Sequence, residues 1–374
     1  MDLGRRFGTQ GRLHRNSHQN QSSPVGWRRA LPLAVLALVL IGGGGAVHAR
    51  TLNVANNGMD SPACGALSAP CRSIIRAIAT ALEGDTIKVG PGRYGDLNGN
   101  GIFGEAGEEA AEVGGGCSCM IKINKRLTLR SSDGAAVTVL DVSGIEIRAV
   151  LIEADGVVFG GRGRGFTITN AGSTGVVVYN ANDVTVVGNI AIHNGLNLND
   201  GFLFIGNGHT ISENIALGNI RAGFNIGGSG HTISDNAASG NFFGFDLSFS
   251  GQFTHNVASS NGDVGGIIIN NAGIIEIRRN AIIGNRGIGI QVFSRDATIT
   301  ENNIFGNGTT RSNCGLLNVS GTALMAPKNF WGAASGPGPD PADAVDAACG
   351  GHPDPTIVDP VATKPFNIPV KAGQ

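Results

Sequence analysis

The sequence predicts an all-β solenoid, one domain of short strands wound into stacked parallel coils with a short N-terminal capping helix. Three observations predict it. Between Gly201 and Asn307 one phrase recurs, as GFLFIGNGHTISENIALGN from Gly201, GFNIGGSGHTISDNAASGN from Gly223, GFDLSFSGQFTHNVASSN from Gly244 and GIQVFSRDATITENNIFGN from Gly289. Asn214, Asn236, Asn256, Asn280 and Asn302 follow one another at intervals of 20 to 24 residues, each trailed five positions later by Asn219, Asn241, Asn261, Asn285 or Asn307. Within each unit apolar side chains alternate with period two, which is a strand pattern, and a repeat of 20 to 50 residues marks a repeat architecture.

The alternation assigns faces. Phe202, Phe224, Phe245, Ile267 and Ile290 point one way with Phe204, Ile226, Leu247, Ile269 and Val292, while Leu203, Asn225, Asp246, Ile268 and Gln291 point the other. A second short strand places Ile211, Ile233, Phe253, Ile277 and Ile299 inside, and a glycine column, Gly201, Gly223, Gly244, Gly266, Gly289 and Gly315, opens each alternation. Helical repeats need long runs of good helix formers, which so much Gly, Asn, Ser and Thr denies them. Stacked in parallel, the coils bury the Phe and Ile columns and pair each strand with its neighbours at about 4.8 Å. Asparagine tolerates the left-handed turn conformation, and its amide can bond the same amide in the next coil, so each Asn column is expected to be a corner post.

On these repeats the sequence resembles the right-handed parallel β-helix family, the pectate-lyase-like group that includes NosD-type periplasmic proteins. The resemblance runs from about Thr51 to Gly336, and its motifs specify fold rather than chemistry. Residues 1–49 are expected to lie outside the fold, as a signal peptide or N-terminal anchor. Six arginines precede the 12-residue apolar run Ala30 to Ile41, which is short for a membrane span, and Val47-His48-Ala49 offers a cleavage site. Without this segment 21 basic residues face 27 acidic ones, a net charge of −6. A mildly acidic, aromatic-poor chain with no basic stripe excludes nucleic acid as the expected partner. The protein is expected to be a secreted or periplasmic monomer with no stable membrane span after cleavage.

Cys71 to Leu82 carries apolar residues at helical spacing and precedes GDTIKVGPGRY, a strand and turn. A helix, then GDTI, then a PGxY turn resembles the start of many β-helix proteins, where the helix plugs the open end. The next strand is expected over Ile121 to Arg130, after an insertion at 95–119. Less regular coils follow to Asn194, and NFWGAASGPGPDP resembles the closing segment of such folds, with Trp331 over the last coil. The solenoid thus spans 50–336 and leaves 337–374 as a loosely packed Pro-rich tail. All six cysteines lie outside the 201–307 array. In an exported chain, proximity suggests Cys64 with Cys71, Cys117 with Cys119 and Cys314 with Cys349, against the other reading of a metal site.

Three groups of residues could carry chemistry. The insertion reads DLNGNGIFGEAGEE from Asp96. Asp96, Asn98, Asn100, the backbone of Ile102 and Glu108 could hold Ca2+, as alternate oxygens around a glycine-permitted turn do, provided the loop is one residue longer than standard; a solvated loop is the alternative. On the outward face, Asn225, Asp246 and Gln291 lie beside a turn that offers Asp200, Arg221, Asp263 and Arg286. Such a groove suits an extended polysaccharide or envelope glycan. For a uronate polymer, Arg221 or Arg286 could neutralise the sugar carboxylate while Asp246 or Asp200 removes a proton, as in a lyase or epimerase; a solvated face of local ion pairs is the bland reading. His209 and His231 should stack one coil apart on the surface, with Glu213, Asp235 and His255 in a second column. That arrangement fits either plain repetition or a NosD-like metal role. The alternative to a carbohydrate-binding enzyme is a non-catalytic envelope scaffold.

Overall fold

The computed structural model describes residues 49–109, 117–196, 198–270, 273–308, 314–338, 347–350 and 355–369. Residues 1–48, which hold most of the expected leader, lie outside the described residues. Each coil contributes strands to three faces. The first face includes Cys119–Ile123, Arg148–Ile152, Val176–Val178 and Phe202–Asn207; the second includes Thr128–Ser131, Thr185–Val187 and Thr210–Ser212; the third includes Thr138–Asp141, Ile190–Ile192 and Ile215–Leu217. All pair in parallel with the coil above and below, the first two faces as one bent sheet and the third as a separate nine-stranded sheet.

Register follows the repeats residue by residue. Phe202 pairs with Phe224, Phe224 with Phe245, Phe245 with Ile267 and Ile267 with Ile290. These side chains are buried, and the rings of Phe202, Phe224 and Phe245 stack with centroids 4.8 and 4.9 Å apart. Strand spacing thus becomes ring spacing, and each stacked pair adds about 1 kcal/mol beyond its burial.

The corners are amide ladders. The Asn214 N–H and Nδ2 both donate to Oδ1 of Asn236, at 3.0 and 3.1 Å, and Nδ2 reaches back to the Val186 carbonyl at 2.8 Å. The pattern runs from Asn189 to Asn329 and, in the second ladder, from Asn194 to Asn307. The left-handed conformation expected at these asparagines belongs instead to the residue before them. Glu213, Asp235, His255, Arg279 and Glu301 have φ between 53° and 59°. That residue makes the turn, and the asparagine that follows drops its amide inside the corner.

The glycine column completes this corner. A Cβ on Gly244 would lie 2.5 Å from the Gly266 carbonyl and 2.9 Å from Asn261 Nδ2; one on Gly223 would meet the Gly244 carbonyl at 2.8 Å and Asn241 Nδ2 at 2.9 Å. Glycine is therefore required by the close approach of the second amide ladder.

The capping helix is shorter than its periodicity suggests, Ile74–Thr80, with Ser73 as N-cap and Ile74, Ala77 and Ile78 buried. The Ser73 oxygen accepts from the Arg76 N–H, and Asp60 accepts from the N–H groups of Arg72 and Ser73. The segment expected as one strand over 121–130 is two, Cys119–Ile123 and Thr128–Ser131, because the chain turns a corner between them. The described part of the insertion folds back on the first coils, and residues 110–116 of it lie outside the described residues.

The solenoid continues past the expected boundary at 336. Ala347–Gly350 pairs with Cys314–Asn318 and Thr356–Ile357 with Leu324–Met325. Further on, Phe366 exchanges hydrogen bonds with the Asn303 side chain, and Ile368 packs on Ala237, Val257 and Ala281. The segment expected to be a loose tail therefore supplies two more strands and covers an apolar strip of the third face. Trp331 is fully buried at the same end. The cysteines pair as proximity suggested, Cys64–Cys71, Cys117–Cys119 and Cys314–Cys349, so none is free as a metal-binding thiolate.

Candidate functional site

Arg221 occupies the turn into its coil, and the coils on either side present one carboxylate each. Its Nη1 lies 2.8 Å from both oxygens of Asp200 and its Nη2 3.0 Å from Asp246 Oδ2. Asn225 donates to the other side of Asp200 at 3.1 Å, and the Ala222 N–H also caps Asp200 at 3.1 Å. Asn270, one coil further, donates to Asp246 Oδ1 at 2.7 Å. The guanidinium rests over the Phe243 ring, 5.3 Å from its centroid. Four of the seven residues expected on this face, Asp200, Arg221, Asn225 and Asp246, thus form one hydrogen-bonded cluster. Burial pushes the Asp200 carboxyl up, against the pull of Arg221.

Asp263 and Arg286 pair with each other at 2.9 Å, with side chains 51% and 65% exposed. Such a pair contributes little to stability. Gln291 follows Asp246 on the outward column, separated from it by Ile268.

The sequence reading missed the other half of this face. The outward column runs Leu151, Val177, Leu203, Asn225, Asp246 in strict register. Its first part is apolar: Leu151 and Val177 are buried beneath the Cys117–Cys119 bridge, and Leu203 packs on them. A shallow concavity of about 330 Å³ lies there, floored by these three side chains and edged by Tyr179, Ile205 and Arg148. Tyr179 is 45% exposed. The one sequence signal was the absence of alternation in RAVLI and VVV, strands apolar on both faces. Asn270 and Phe243 could not have been found by column, since both reach the cluster diagonally.

The histidine column is not on the surface, as expected, but buried. His209 is fully buried and His231 4% exposed, with rings stacked 4.9 Å apart. Nδ1 of His231 accepts the His209 N–H at 3.1 Å, and Nδ1 of His209 accepts the Val184 N–H at 3.3 Å, so the imidazoles do at this corner what amides do at the others. Burial, reinforced by His231, lowers the pKa of His209 to about 4. With both Nδ1 atoms spent on backbone, the column gathers no set of three metal-ligand atoms among the described residues. Glu213, Asp235 and His255 are the left-handed turn residues already described.

The family model for the right handed beta helix region matches residues 200–326, the stretch holding the ladders and the Phe stack. The chain is a right-handed parallel β-helix repeat protein. No curated protein sequence matches this β-helix. Among solved structures it is similar to the pectate lyase Pel9A, with a TM-score of 0.53 and 19% identity over 84% of this chain and 78% of that one. It is also similar to a rhamnogalacturonan lyase, with a TM-score of 0.52 and 15% identity over 73% of this chain and 75% of the other. At these identities the likeness establishes the fold. No helix among the described residues of the β-helix is long and apolar enough to cross a membrane.

Proposed function

We propose that this β-helix is an exported protein that binds an extended carbohydrate along its first face. The observation that carries the reading is the continuity of that face. An apolar concavity beside an exposed tyrosine runs, coil by coil, into a row of amide and carboxylate groups held by Arg221. Sugar rings present apolar C–H faces and hydroxyl edges, so one strip offers a stacking surface and the other offers donors and acceptors at about 4.8 Å intervals. The names of the two similar structures, both polysaccharide lyases, support the same substrate class. So do three disulfides, which favour an oxidising compartment.

Elimination or epimerisation by Asp246 is the second reading, favoured by its position beside Arg221. Arg221 is already balanced by two carboxylates, and both Asp246 oxygens accept hydrogen bonds, so binding is better supported than proton abstraction. Affinity electrophoresis against neutral polysaccharides and polyuronates tests both. Retardation by at least one class is expected, weakened about 3- to 10-fold by Tyr179→Ala, the range of one aromatic contact. Growth of unsaturated-uronate absorbance that is abolished by Asp246→Ala would establish the lyase. Absence of retardation and of absorbance across the panel would overturn both and leave a rigid envelope scaffold.

A further inference from the structure

The insertion after Gly92–Gly95 is a compact loop closed on itself. Asp96 is fully buried; its Oδ1 accepts the Gly99 N–H and its Oδ2 the Gly101 N–H, each at 2.7 Å. Asn98 Oδ1 accepts the Asn100 N–H at 2.8 Å, and Asn100 Oδ1 accepts the Ile102 N–H at 2.7 Å. Both asparagines turn their Nδ2 groups onto one oxygen of Glu105, at 2.7 and 2.9 Å. Gly101, at the sixth position, has φ 81°, the sharp turn that such loops demand.

A second observation points to a ligand. Glu108 is 7% exposed, and its Oε1 accepts the Leu97 N–H at 3.0 Å inside the loop. Its Oε2 is buried with no partner. Among the described residues no Lys, Arg or His forms an ion pair with Asp96, Glu105 or Glu108. Two buried carboxylates and a third beside them, without a counter-charge, are costly unless a cation joins them. Hard oxygen donors from carboxylates, amides and backbone suit calcium, while magnesium demands a tighter octahedron.

We propose that the loop from Asp96 to Glu108 binds one calcium ion through Asp96, Asn98, Asn100, the Ile102 carbonyl and Glu108, and that the ion locks the capping helix onto the solenoid. The link is the next residue. Glu109 is buried and accepts the N–H groups of Ile74 and Ile75 at 2.7 and 3.0 Å, closing the first turn of that helix. The Glu109 N–H in turn donates to the Gly95 carbonyl at 3.3 Å, so the loop joins helix, insertion and third face.

Titration of metal-free protein with CaCl2 should give one site with a Kd on the order of 10 µM to 1 mM, from the weak limit of sensor loops through the range of extracellular ones. Magnesium should bind at least about tenfold more weakly. Calcium should raise Tm and slow amide exchange over Ile74–Thr80. Glu108→Gln should weaken binding at least about tenfold. Because Glu108 is buried, an Asn98→Ala/Asn100→Ala double variant, whose replaced side chains are exposed, gives a second test; it should fold normally and lose a similar factor. Absence of both binding heat and any Tm change in the folded wild type would overturn the site, as would unchanged affinity in the double variant. Binding without slower exchange in the helix would overturn the locking role.

Discussion

Removing one amide from the first ladder should cost far more than removing a surface side chain of the same size. Asn236 is fully buried; its Oδ1 accepts from Asn214 N–H and Nδ2, and its Nδ2 donates to Asn256 Oδ1, Ile211 O and Ser234 O. In Asn236→Ala the Asn214 N–H loses its acceptor and the Ile211 carbonyl loses a donor, both in a dry corner. At about 1–3 kcal/mol for each group left unsatisfied, tempered by partners that remain, the loss should be about 2–4 kcal/mol. Asn236→Asp should do worse at neutral pH, since an oxygen would then face Asn256 Oδ1 and two carbonyls. Urea unfolding monitored by circular dichroism, with the exposed Thr298→Ala as control, measures this. A loss below about 0.5 kcal/mol for Asn236→Ala, the level of an ordinary surface change, would refute the corner-post argument.

Gly244→Ala should destabilise by about 1–3 kcal/mol, because its Cβ meets backbone and a ladder amide; Gly227→Ala, whose Cβ meets nothing nearer than 3.9 Å, should be neutral, and equal urea midpoints would refute the close-approach account. His209 titrates near 4 when folded and near 6.5 unfolded, so the unfolded chain binds the proton first as pH falls. Stability held above pH 6.5 should therefore decline toward pH 4. This residue should account for roughly 2 kcal/mol of that decline, less than the full shift implies because water penetration and relaxation soften it. The stability gap between wild type and His209→Asn should narrow over that interval; parallel curves would refute it.

Much of the fold was legible because parallel stacking demands the same residue at the same place in every coil. Asn214 and its successors, Phe202 and its successors, and the glycines repeat because each touches its own copy above and below. The left-handed residue was placed one position late, since turn propensity says asparagine while the corner needs the amide inside and lets Glu213, Asp235 or Arg279 make the turn. The histidines looked exposed because a polar residue beside a turn usually is. Burial became visible only once Nδ1 of His231 was seen to replace an amide as acceptor for a backbone N–H. The tail at 347–357 lacks the repeat phrase, so its two strands left no periodic trace.

The site is less legible for the same reason that the fold is more so. Amide ladders, glycine corners and the ring stack hold each coil in register from within, so the outward column, whatever it packs against locally, is not needed for register and need not repeat. Leu151, Val177, Leu203, Asn225, Asp246, Ile268, Gln291 and Leu317 occupy one register position and share no side-chain type beyond scattered leucines. A column freed from folding can be changed residue by residue to suit a ligand, while the inner columns cannot. A likeness to other β-helices at 15–19% identity therefore establishes the fold and says little about what lies on the outside. The departures from repetition are thus the informative positions. The salt-linked Asp200–Arg221–Asp246 cluster and the Asp96–Glu108 loop proposed to bind calcium are two such departures, one on the outward face and one at the capped end.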